Sequence, residues 1–170
     1  MPDPVILPVR ELTTEAFAPF GRIIAMPDRT QDASGPGWRW WAETLPLEGD
    51  GRRWSIGYLD LAPDRPSRFD WAERHLRSAE EIVPVDASCL VYVAPADHPD
   101  QPGRLPPHDA FEVFRVPSGA GVLMDPGVWH GAPLADGGPA KAIVLLLEGT
   151  GSNDVTLVRF EDEPIRVGEG

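Results

Sequence analysis

One cysteine, one lysine and no long apolar run are what this 170-residue chain conspicuously lacks in quantity. The cysteine, Cys89, sits in "SCLVYVAP". A single thiol makes no internal disulfide, and its apolar neighbours imply a buried, inert side chain. Lys141 is the sole lysine among 15 basic residues, so unless it is catalytic, Schiff-base chemistry is excluded. No stretch approaches the roughly 18 apolar residues of a membrane-crossing helix. The opening "MPDPVILPVR" has neither a basic lead nor a long apolar segment, so no secretory signal and a cytoplasmic location are expected. Positive charge is also scarce: 27 acidic residues against 15 basic give a net charge of −12. General nucleic-acid binding, which needs a basic patch, is excluded. A small anionic substrate is not, because a few arginines suffice to line a pocket.

Proline and glycine are plentiful, at 20 and 17 residues, and are scattered rather than clustered. Such punctuation breaks a chain into many short strands joined by tight turns. With 42% hydrophobic residues, a packed core is expected for one domain over residues 1–170. "LTTEAFAPFG", residues 12–21, reads as a short helix, with Thr13 or Thr14 as cap and Gly21 as stop. About ten strands follow. They include "RIIAM", "WRWWAET", "RRWSIGYLDLAP", "SRFDWAERH", "EEIVPV", "SCLVYVAPA", "FEVFRVP", "GAGVLMD", "GVWHGAPL", "KAIVLLLEGT" and "DVTLVRF". In the third of these, Trp54, Ile56 and Tyr58 alternate with Arg53, Ser55 and Gly57 and read as its buried row. Residues 96–110 form a Pro-rich loop. An all-β barrel or double-sheet jelly roll with one short N-terminal helix solves the edge problem of so many strands.

Chemistry concentrates in two segments. In "ERHLRSAE", a period of two puts Glu73 and His75 on one strand face, and Glu80 follows a bend. In "GVLMDPGVWHG", a Pro-Gly turn precedes His130. Glu73, His75, Glu80 and His130 form an imidazole–carboxylate set suited to a divalent first-row metal such as nickel, manganese or zinc. Each histidine taken alone is also readable as a core residue bonded to a backbone carbonyl. His98 and His108 lie in the Pro-rich loop and read as surface residues. Trp129 faces away from His130 and reads as packing. Trp38, Trp40 and Trp41 fit a dimer seal.

The two segments resemble the two cupin motifs, with Glu73 in place of the first motif's leading histidine. The order of "LTTEAFAPFGRII", "ERH", "IVPV", "LVYVAP" and "GVWHGAPL", from about Leu12 to Phe160, is similar to the ureidoglycolate lyase family. That resemblance implies a cupin-like fold, a homodimer, and cleavage of the C–N bond of ureidoglycolate to glyoxylate and urea in allantoin and purine breakdown. It implies catalytic roles for His75, His130 and Glu80. A substrate carboxylate calls for an arginine, and Arg74, Arg115 and Arg39 are the candidates. Asp125 occupies a pocket position where the family usually has histidine. Glu80 stands where glutamine is usual, and Gly131 where a second histidine is common. Two other readings remain: a metal-dependent cupin acting on another small hydroxy- or keto-acid, and a non-catalytic cupin that binds a small ligand.

Overall fold

β-branched and aromatic runs cut by Pro and Gly settle into pleated, half-buried sheets. A computed structural model of the chain describes residues 5–49, 51–62, 67–161 and 163–168. Its elements are β1 (Ile6–Glu11), α1 (Thr14–Phe17), β2 (Gly21–Ile24), β3 (Ala33–Gly35), β4 (Trp38–Trp40), β5 (Trp54–Leu61), β6 (Arg68–Phe69), β7 (Trp71–Arg74) and β8 (Glu80–Pro84). They continue with β9 (Cys89–Ala94), β10 (Glu112–Val116), β11 (Gly121–Met124), β12 (Trp129–His130), β13 (Leu134–Ala135), β14 (Ala140–Leu147), α2 (Thr150–Asn153), β15 (Thr156–Arg159) and β16 (Ile165–Gly168). A nine-stranded sheet runs β15-β7-β12-β9-β10-β1-β16-β6, with β13 also on β9. A five-stranded sheet runs β2-β11-β8-β14-β5, and β3-β4 is a separate hairpin. The architecture is all-β and cupin-like, as expected.

Two cores explain the apolar runs. Along β9, Cys89, Val91 and Val93 enter a core between the sheets with Phe17, Phe20, Ile82, Phe114, Val122 and Met124. The alternate residues Leu90, Tyr92 and Ala94 enter a second core with Phe69, Phe111, Val113 and Trp129. A strand covered on both faces has no polar row, so "CLVYVA" reads as continuous hydrophobics. β6 runs into β7 with only Asp70 between them, so the larger sheet curls back on itself, and the second core fills the curl.

α1 forms where its signals lie. Thr13 Oγ1 accepts from Ala16 N at 3.2 Å, and Phe17 and Phe20 pack against Phe114. α2 is an addition to the single helix expected. Gly149, at φ 83°, turns the chain out of β14 into four helical residues, too few to show a hydrophobic period. A 3-10 turn also spans His108–Ala110. β1 and β16 were not expected either. β1 contains Pro8, which argues against a strand, yet it pairs with β16 through residues 6–8 and with β10 through 9–11.

The face of β5 is reversed from expectation. Ile56 and Tyr58 are 74% and 61% exposed, while Leu59 and Leu61 pack into the core. β5 is a sheet edge, paired on one side only, with Ser55 and Gly57 opposite Leu146 and Val144.

Candidate active site

Alternation along β7 sorts the "WAERH" segment. Ala72 and Arg74 turn to the second core, where the Arg74 guanidinium lies over the Trp129 ring at 4.5 Å. Glu73 turns the other way and sits opposite His130 in the β7–β12 ladder. His75 follows the end of β7. Its carbonyl accepts from Gly127 N at 2.6 Å, so the Pro126-Gly127 turn is tied to this strand end. Gly127 has φ 88°, a conformation that favours glycine. Glu80 arrives from the other sheet, at the start of β8, paired with Met124 and Leu146. The four residues anticipated from sequence therefore converge from both sheets.

Backbone carbonyls fix the imidazoles. His75 Nδ1 lies 2.8 Å from the Asp154 carbonyl, and His130 Nδ1 lies 2.9 Å from the Val128 carbonyl. A carbonyl only accepts, so both Nδ1 atoms carry hydrogen and both Nε2 atoms face the cluster. Glu80 Oε2 is 3.1 Å from His75 Nε2 and 3.4 Å from His130 Nε2. Both rings are buried, and the Glu80 side chain keeps 11% of its surface.

An ionised carboxylate cannot donate, so its contact with these Nε2 atoms requires a proton or another cation between them. The electrostatics agree. Burial would raise Glu80, but the charge and hydrogen bond of His130, with His75, outweigh it and hold the carboxyl at about 2. Burial opposes charge on His130, yet Glu80, the Val128 carbonyl and Glu73 raise its pKa. Glu73 is raised by burial, with the two histidines pulling the other way.

A divalent metal fits this donor set. Donor atoms of Glu73, His75 and His130 lie within 4.8 Å of one another. His130 Nε2 is buried and points into the cluster, 3.4 Å from Glu80 Oε2, as a preformed ligand would. Glu80 meets this group through the two imidazoles rather than as a member of it.

The other candidates lie elsewhere. Arg74 is buried on the far face of β7, where its guanidinium donates to the carbonyls of Asp97, His98 and Gln101 at 2.5, 3.0 and 3.1 Å. Strand alternation turns it away from Glu73. Arg115 grips Asp136 in a bidentate pair at 2.7 and 3.2 Å and also faces Glu11. Asp125 is exposed in the Pro-Gly turn and borders a pocket of about 210 Å³ with Arg22 and Arg77, on the far side of the sheet from Glu80. Arg39 lies over Trp41 on the β3–β4 arm. His98 is exposed as expected, whereas His108 is half-buried against Phe160. Cys89 is buried, and burial with Asp136 pushes its thiol up to about 12. Asp154 was missed: in sequence it merely opens the strand "DVTLVRF".

A carboxylate and two tautomer-locked imidazoles inside an all-β sandwich define a cupin-like protein equipped for proton transfer or metal binding. Residues 4–167 match the family described as ureidoglycolate lyase. The ureidoglycolate lyase of Rhodobacter capsulatus is 30% identical, over 86% of this chain and 89% of its own. That of Burkholderia cepacia is 32% identical over 76% and 73%, and that of Agrobacterium fabrum 28% over 96% of each. The chain belongs to the ureidoglycolate lyase family. A solved dTDP sugar isomerase from Desulfovibrio desulfuricans covers 87% of the chain at 15% identity, with a TM-score of 0.41, too distant a likeness to bear on activity.

Proposed function

We propose that this protein cleaves ureidoglycolate to glyoxylate and urea at the Glu73–His75–Glu80–His130 cluster. Membership of the family supports the substrate. The observation that carries the chemistry is Glu80: a buried carboxylate held anionic between two inward-facing imidazoles. Lyase cleavage removes the hydroxyl proton of the substrate, forms the aldehyde C=O, and breaks the C–N bond as the urea nitrogen gains a proton. In this reading Glu80 takes the hydroxyl proton and returns it to the departing nitrogen, so the step balances without an outside acid. Glu73, His75 and His130 would hold a divalent metal. That metal would bind the substrate's hydroxyl and carboxylate oxygens and lower the hydroxyl pKa. With Arg74 and Arg115 engaged elsewhere, positive charge for the substrate carboxylate would come from the imidazoles and the metal they would hold.

The reading extends to a cytoplasmic homodimer of one-domain subunits. Trp38 and Trp40 remain 53% and 58% exposed on the β3–β4 arm, and Ile56 and Tyr58 are exposed on β5, an edge strand. Large side chains bury about 150–250 Å² each. These four supply on the order of 500 Å² of the ~800 Å² per partner typical of a stable interface.

The test is metal content and glyoxylate release in the wild type, His130→Ala and Glu80→Gln. The reading expects a near-stoichiometric metal lost in His130→Ala. It expects Glu80→Gln to lose roughly 10²–10⁴-fold in kcat with the metal retained. A Glu80→Gln enzyme within threefold of wild type would move the base to an imidazole, and no glyoxylate from wild type reloaded with nickel, manganese or zinc would sink the activity.

A further inference from the structure

We propose that Asp154 is the positioning residue of His75, and that its side chain sets the tautomer the imidazole presents to the site. This rests on the reading of His75 as a site residue. Asp154 sits just after α2, and its bonds run in three directions. Its amide donates to the Thr150 carbonyl at 2.9 Å, which anchors it to α2. Its own carbonyl accepts from His75 Nδ1 at 2.8 Å. Its carboxylate accepts from the amides of Leu76 and Arg77, at 3.1 and 2.9 Å. Arg77 closes the ring: its guanidinium lies 3.4 Å from Asp154 Oδ1 and also donates to the Asn153 carbonyl and side chain.

Asp154 therefore holds both the ring of His75 and the two residues that follow it. The carboxylate is only 6% exposed, so water competes little for these bonds. The same loop leads through Ser78 to Glu80. Ser78 is buried, accepts from Leu147 N at 3.0 Å and donates to the Ala79 carbonyl at 2.8 Å. The Asp154 carboxylate thus holds the first half of the segment between two site residues, and Ser78 holds the second. Without it, nothing else described bonds the Leu76 and Arg77 amides, and the Asp154 carbonyl loses its fixed distance from the ring. Outer partners of ligating histidines commonly change metal affinity 10–100-fold, because they decide which nitrogen is free.

The experiment uses full-length protein with ¹⁵N-labelled histidine, in wild type, Asp154→Ala and Asp154→Asn. Long-range ¹⁵N–¹H spectra read the His75 tautomer without metal or substrate, and titration with Co²⁺ reads affinity separately from turnover. The wild type is expected to hold hydrogen on Nδ1. Asp154→Ala is expected to show a mixture of tautomers and 10–100-fold weaker Co²⁺ binding. Asp154→Asn retains one acceptor and should fall between them. A His75 spectrum unchanged in Asp154→Ala, with Co²⁺ affinity within threefold, would overturn the proposal. If the alanine variant does not fold, a wild-type spectrum and affinity in Asp154→Asn would overturn it equally. Should the wild type bind no Co²⁺, the metal reading fails, while the tautomer measurement still decides the role of Asp154.

Discussion

A Cβ on Gly131 would fall 1.8 Å from Tyr92 Oη, and no rotation of so short a branch relieves that overlap. The same hydroxyl donates to the Trp71 carbonyl at 3.1 Å, two residues before Glu73. The glycine thus leaves room for a bond that seats the site strand. Gly131→Ala is expected to cost about 1–3 kcal/mol in urea unfolding, and adding Tyr92→Phe should recover part of it. A cost below about 0.5 kcal/mol would show that the tyrosine moves freely. Glu80 and His130 set opposite limits in pH. Glu80 is depressed from 4.5 to about 2, so its contribution is present above about 4.5 and fades as pH falls toward 2. His130 is raised above 6.5, so its contribution is complete below 6.5 and fades as pH climbs through the raised value. Metal-free protein should therefore show a Tm falling on both sides of that window, and His130→Gln should flatten the alkaline limb. A Tm indifferent to pH would contradict the charged pair.

Among the elements, the β3–β4 hairpin is braced almost wholly from within. Arg29 reaches Asp32 at 2.9 Å and the Ala42 carbonyl at 2.8 Å, Asp32 accepts from Ala42 N, and Trp41 Nε1 donates to the Arg29 carbonyl. In the proposed dimer this ordered arm, whose Trp38 and Trp40 face outward, would be covered by the partner subunit. Trp38→Ser with Trp40→Ser is expected to halve the mass seen by sedimentation and leave the folded core intact. An unchanged mass would remove this arm from the interface. The elements also show what can be read from residues alone. β9 and β11 were legible because both-face burial leaves unbroken apolar runs, and α1 because its cap and stop are local. β5 was located but turned over, since which row faces inward depends on what lies opposite. β1 was hidden by Pro8, and α2 by its brevity. The site was legible for the four residues that strand periodicity and a turn bring together. It was not legible for Asp154 or for the fate of Arg74. Their partners lie 77–79 and 23–27 residues away in sequence, and no local pattern encodes such distances.

At the scale of the whole molecule, a net charge of −12 repels an anionic substrate at long range. Capture then depends on positive charge at the site, which the histidines and a metal they hold would supply. β7 has two working faces: Glu73 turns toward the site, and Ala72 and Arg74 turn toward the second core. Arg74 grips the carbonyls of Asp97, His98 and Gln101, and these residues belong to the loop walling a separate cleft of about 1100 Å³. Tightening the site face of β7 should therefore quiet a loop that touches no site residue. Hydrogen exchange at the Gln101 and Arg104 amides, which close turns in that loop, is expected to slow when zinc is added. Arg74→Lys should cut that link, because a point charge cannot span three carbonyls as the guanidinium fork does. An exchange rate blind to zinc in the wild type would mean that the strand's two faces act independently. If they are coupled, the remote loop becomes a gauge of site occupancy, readable without any substrate.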